Sequence, residues 1–132
     1  METTKNAVQV VAARQRRALV DRANEHLREI EIYFNTVSHW NTAVRKPGEE
    51  EIVGDPDGKM AAMAKGLSDL LQRESKHKMP RAEWLLEIRS VAILKYEFTA
   101  AGAAKTDWQQ YAHDYYLDCT PEEALVEDLQ NA

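Results

Sequence analysis

Four histidines, 22 acidic side chains and one cysteine are the groups with which this chain would do chemistry, and their spacing limits what is possible. Glu74 and His77 stand in the Glu-x-x-His order that sets two metal ligands on one helix face. A di-metal bundle needs that motif twice, with two more glutamates from facing helices. It occurs once, so a solvated helix end with His77 near the C-terminal dipole is expected instead. Asp55, Asp57 and Gly58 look like part of a calcium loop. Aligning Gly58 with the loop's glycine, however, puts Val53 at the first ligand and Ala64 where a bidentate glutamate is required. Calcium is excluded on that count. Cys119 has no charged base beside it to lower its pKa, which predicts an inert thiol.

Two further metal chemistries fail on spacing. His113-Asp114 resembles the paired ligands of HD-type phosphohydrolases. Those enzymes also need an earlier histidine, a role open to His39 or His77, and a distant later aspartate, but 18 residues follow Asp114. Helical nucleotide pyrophosphohydrolases hold Mg²⁺ with Glu-x-x-Glu and Glu-x-x-Asp. Here the pairs Glu25/Glu29, Glu83/Glu87 and Glu123/Glu127 are spaced by four, which still shares a face but is not the motif. There is no glycine-rich phosphate loop and no GxSxG elbow. The expectation is no catalytic set, no metal and no cofactor.

Binding chemistry is better represented. Arg14, Arg16, Arg17 and Arg28 form a basic face, and arginine's rigid fork suits carboxylate or phosphate partners. His26, Gln15 and Asn41 fall near the centre of the same segment's apolar face. They are expected as buried, satisfied polar groups, or as register-setting positions in a helix–helix interface. Met60, Met63 and Met79 are expected as core filling, with an adaptable groove as the alternative.

These residues must be carried by helices. From about 5 to 46 there is no Gly or Pro, and Val8, Val11, Ala12, Leu19, Ala23, Leu27, Ile30, Phe34, Val37 and Val44 occupy one half of a helical wheel. Pro47-Gly48 ends the run, and Ser38–Asn41 leaves open whether it is one helix or two in line. Residues 47–58 form a loop with a tight Asp55-Pro56-Asp57-Gly58 turn. A second helix is expected at about 59–77. A third, at about 81–104, is apolar nearly all round and so should be central in a bundle, with Trp84 deeply buried. Capping-box patterns at Thr106 and Thr120 open two short helices, at about 107–118 and 121–131. An α+β fold is the rival, because 30–34 and 91–98 also alternate with period two. Each stretch lies inside a longer helical pattern and no hairpin turn flanks it. An all-α, single-domain helical bundle is the expectation.

Length and charge bound the function. The 132 residues suit one domain. No apolar run approaches the roughly 18 residues of a membrane helix. The first residues lack the order of a secretory signal, and a lone cysteine suits a reducing cytoplasm. The net charge of −5 hides a polarity: residues 1–46 carry eight basic and five acidic side chains, whereas 106–132 carry seven acids and no Lys or Arg. A strongly basic nucleic-acid coat is thereby excluded. A non-enzymatic module acting through protein–protein contact is expected: an assembly subunit, adaptor or inhibitor, of a kind common among phage and mobile-element accessory factors. The partner is another protein or the chain itself, with Arg14, Arg17 and Arg28 facing Asp114, Asp118 and Glu122 of a neighbouring copy in a head-to-tail oligomer. The alternatives are a nucleic-acid-associated regulator using the Arg face, and a metal-dependent nucleotide hydrolase using clustered carboxylates.

Overall fold

A computed structural model describes residues 2–131, with side chains from Asn6 to Asn131. The fold is all-α, and no strand occurs among the described residues. Six helices follow one another: α1 Glu2–His39, α2 Lys59–Glu74, α3 Arg81–Lys95, α4 Ala100–Lys105, α5 Trp108–Tyr115 and α6 Pro121–Gln130. None of them is long and apolar enough to cross a membrane.

The uninterrupted α1 follows from the absence of Gly and Pro before Pro47. The Ser38–Asn41 stretch does not break it. The last turn widens instead into a π-helix over Trp40–Val44, closed by Arg45 N–H donating to the Trp40 carbonyl at 2.8 Å. The loop after it is tied back onto α1. The Asn41 side chain exchanges two hydrogen bonds with the Ile52 backbone, at 2.9 and 2.8 Å, and Tyr33 Oη donates to the Gly54 carbonyl. Asn41 is therefore satisfied by a loop and sets no register between helices. Gly54 packs closely there, and a Cβ would sit 3.0 Å from a methyl of Val37, so a larger residue needs Val37 to shift. The turn at 55–58 forms as expected. Gly58 adopts φ 68°, and both Asp55 carboxylate oxygens accept from the first amides of α2, at 3.1 and 3.0 Å. That use as a helix cap accounts for the Asp-x-Asp-Gly pattern without calcium.

α2 runs antiparallel to α1, so that Met63 meets His26 and Glu74 meets Arg16. It ends at Glu74, short of residue 77, and the chain turns through Ser75–Pro80 into α3. The core gathers Leu27 of α1, Leu71 of α2, Trp84, Ile88 and Ala92 of α3, Ala112 of α5 and Leu125 of α6, with Tyr116 between the last two. Trp84 is 0% exposed, and its Nε1–H donates to the Cys119 carbonyl at 2.9 Å.

The third helix is shorter than its sequence pattern. It stops at Lys95, Glu97 takes a left-handed φ of 60°, and Phe98 N–H returns to the Ala92 carbonyl at 3.1 Å. Thr99 then caps the six-residue α4 by accepting from Gly102 N–H. No Gly or Pro marks the break. It is made by tertiary contact, since Phe98 packs on Trp108 with ring centres 5.9 Å apart. Nor is α3 covered all round. Trp84, Ile88 and Ala92 face the core, while Leu86 is 71% and Leu94 82% exposed. Asp107, not Thr106, caps α5 by accepting from Gln110 N–H at 3.1 Å. The Thr120–Glu123 capping box of α6 is present in both directions.

Candidate functional site

Of the charged interface residues marked out by the sequence, only Arg17 and Asp118 meet each other among the described residues; the rest find other partners or none. Arg17 Nη2 lies 3.1 Å from Asp118 Oδ2, and its Nε lies 2.9 Å from Asp21. Arg28 reaches Asp107 at 2.9 Å and the Gln110 amide, not Asp114 or Glu122. Its side chain is only 13% exposed, so it lies against α5 and not on a solvated face. Arg16 pairs with Glu74. Glu122 pairs with Lys95 at 3.3 Å, and Asp114 accepts from Gln110 Nε2 at 3.1 Å. Folding α1 across the C-terminal segment thus gives arginine partners to two of its seven acids, Asp118 and Asp107. Among the described residues Arg14 and Arg22 stay exposed and make no ion pair.

Hydrogen bonds from the guanidinium groups hold the Asp118 and Glu74 carboxyls below their ordinary values, through Arg17 and Arg16 respectively. The sign follows from linkage. A lowered folded-state pKa adds stability above the unfolded value, and that stability is lost as pH falls through the folded value. The Arg17–Asp118 pair is about half exposed, which limits it to roughly 0.2–1 kcal/mol. Arg17→Ala should therefore lower the urea midpoint slightly at pH 7. The difference from the parent should shrink as pH drops below Asp118's ordinary value of 3.8, and again at about 1 M salt, where screening is short-ranged. An unchanged difference at both extremes would show that Arg17 acts through packing alone.

Three of the four histidines, His26, His77 and His113, have in-chain partners, and His39 is exposed. His77 lies beyond the end of α2, so Glu74 and His77 share no helix face. Met79 N–H donates to His77 Nδ1 at 2.9 Å, which leaves Nε2–H to donate to the Tyr116 carbonyl at 2.5 Å. Both ring nitrogens are thereby used in clasping the α2–α3 turn onto the segment after α5. His113 Nε2 meets Glu25 at 3.0 Å, and His26, expected inside, is half exposed against Met63 Sδ and Glu29. Met63 is exposed with it and is not core filling. The buried polar residue of α1 is Asn24, whose Nδ2 donates to the His113 carbonyl at 2.8 Å. No three His, Cys, Asp or Glu side chains converge as metal ligands among the described residues. Burial and the nearby Glu123 and Asp118 carboxylates push the Cys119 thiol up, so it is a poor nucleophile near neutral pH.

An ion pair that the sequence does not single out lies in the wall of a groove between three helices. Arg81 of α3 reaches Glu31 of α1 at 2.7 Å, with side chains 6% and 11% exposed. The groove, about 410 Å³, runs between α1, α2 and α3 past Leu27, Ala64 and Leu85. Arg81 Nε and Nη1 are buried without hydrogen-bond partners, and the guanidinium sits 5.7 Å over the Tyr116 ring. The ring face offsets part of the missing solvation. Arg81 therefore fastens α1, α3 and the post-α5 turn together.

The feature left without an in-chain use is the amino-terminal half of α1. Every residue from Asn6 to Leu19 is exposed, and the first buried one is Val20. α2 ends level with Arg16, so Asn6–Gln15 projects past the bundle by about 15 Å at 1.5 Å per residue. Val8, Val11, Ala12 and Leu19 line one side of this arm, interrupted by Gln15. That line is rotated by roughly 130° from the buried line of Val20, Asn24, Leu27 and Glu31, so the arm does not merely extend the core. The chain matches no family model, no curated protein and no solved structure.

Proposed function

We propose that this chain is a non-catalytic helical module that works through protein–protein contact, with the amino-terminal arm of α1 as its contact surface. One observation carries this: four turns of regular helix hold Val8, Val11 and Leu19 about half or more in solvent, left uncovered by the described residues. An amphipathic helix whose apolar stripe lacks a partner is the form in which helix-in-groove and helix–helix recognition is presented. Ionic neutralisation at the base of the arm aids this use. Arg16 and Arg17 are anchored to Glu74 and Asp118, which holds the arm at a set angle to the bundle. Those same pairs, with Arg28–Asp107, occupy three of the four arginines that a nucleic-acid contact would have used.

A photo-crosslinking side chain placed at Val8 or Val11, activated in the cells that make the protein, tests the proposal. The expected result is a discrete protein adduct from both positions and little from a control at Glu50 in the 47–58 loop. Equal, diffuse labelling from all three positions would overturn the arm as a contact surface.

A further inference from the structure

A second apolar face lies open on the same chain, with Glu83 and Glu87 along one edge and the exposed Arg89 along the other. On the outer side of α3, Leu86 and Leu94 are 71% and 82% exposed, with Ile93 beside them. With 3.6 residues per turn, Glu83 and Glu87 fall on the same side as Leu86 and Leu94. Both glutamates are exposed, and neither is in an ion pair among the described residues. The α1 arm has the complementary make-up. Its valines and Leu19 are accompanied by Arg14 and Arg22, likewise exposed and without an ion pair; no acid lies between Asn6 and Val20, and Asp21 beside Arg22 is paired with Arg17.

The two faces cannot meet within one molecule. α1 is a continuous helix whose arm points past the end of the bundle, and its line of contact with the core starts at Val20. Arm against arm would set like charges side by side. Arm against the α3 face sets arginines against glutamates over a shared apolar strip, which favours the encounter and penalises the symmetric alternative.

We infer that the arm of one copy docks on the outer face of α3 in the next copy, Val8, Val11 and Leu19 lying over Leu86, Ile93 and Leu94, with Arg14 and Arg22 facing Glu83 and Glu87. This inference rests on the arm being a contact surface, and it names the partner as a second copy of this chain. The contact is heterologous, since each copy donates an arm and receives one, so it builds rings or open chains and not a closed two-fold pair. Four helical turns against one helix face is a small area beside the roughly 1,200–2,000 Å² of a stable pairwise interface. Association is therefore weak per contact and rises steeply with concentration.

Sedimentation of the full chain at low salt, across a hundredfold range of concentration, should show growth beyond the dimer. A V8D/V11D chain has a spoiled arm and an intact face, and an L86K/L94K chain has the reverse. Each alone should stay monomeric at the highest concentration while keeping the parent's helical circular dichroism, since all four positions are exposed. Mixed in equal amounts they should form a 1:1 dimer that grows no further, because only one arm–face contact remains. A parent chain that is monomeric throughout would overturn the inference, as would an L86K/L94K chain that associates like the parent. The photo-crosslink at Val8 separates this result from the broader proposal: an adduct of twice the chain's mass supports docking on a second copy. An adduct with a different protein leaves the arm as a contact surface but overturns the second copy as its partner, and no discrete adduct overturns both.

Discussion

Trp84→Ala should be among the most damaging single substitutions in this chain, lowering stability by about 3–5 kcal/mol. The indole is 0% exposed and lies edge-on to Tyr116, with ring centres 5.8 Å apart. It touches the segment between α5 and α6 through its hydrogen bond to Cys119. Truncation leaves a void bordered by α3, α6 and Tyr116, and also strands the Cys119 carbonyl. For a domain of this size the loss corresponds to a fall in melting temperature of roughly 10–20 °C, read by calorimetry or by circular dichroism at 222 nm. Trp84→Phe should fall between parent and Ala, because it keeps most of the packing and loses the hydrogen bond. A cost under about 1 kcal/mol for Trp84→Ala would mean that the bundle does not centre on α3.

Breaking the Glu31–Arg81 pair from one side should cost about as much. Glu31→Leu leaves a guanidinium 6% exposed with no carboxylate, and Nε and Nη1 are already without partners. An uncompensated buried charge of this kind costs about 3–5 kcal/mol. Glu31→Leu combined with Arg81→Met removes both charges at similar volume, and should recover most of the loss in urea unfolding at pH 7. The double-mutant cycle then reads a coupling of at least about 2 kcal/mol. If Glu31→Leu alone is nearly neutral, water reaches the pair through the groove and the two side chains are not the fastener described above. If the double variant is as unstable as Glu31→Leu, the fault lies in packing and not in the orphaned charge.

The two pairs of predictions concern different links between residues and fold. Trp84 was legible as a core residue because it opens an apolar helix, and its burial needs no knowledge of partners. Arg81 was not legible. It reads as an ordinary first-turn residue, and Glu31, which makes its burial tolerable, lies 50 positions away on α1. The same distance effect explains the charge pattern. The excess of basic residues before position 47 and of acids after 105 is plain in the sequence, and it left open whether they meet in one chain or between chains. Folding brings Arg17 to Asp118 across 101 residues and Arg28 to Asp107 across 79, so these contacts are internal.

Local chemistry was readable wherever it is local in space. The long α1 without Gly or Pro, the Asp55–Gly58 turn and the Thr120–Glu123 capping box all depend on hydrogen bonds within a few residues, and each is where its pattern places it. The end of α3 was not readable, because Glu97 turns left-handed only as Phe98 finds Trp108, a contact outside the helix itself. Periodicity marks out an apolar half of α1, but the buried Val20 and Asn24 fall outside it and Val8, Val11 and Leu19 within it are exposed, since a face is a direction and not a partner. Val20, Leu27 and Ile30 are covered because other helices end level with them. Val8 and Val11 stay bare because α2 ends level with Arg16, and Leu19, within α2's span, stays bare because it lies on a different side of α1 from Val20 and Leu27; only the tertiary arrangement decides where along and around one helix the covering falls.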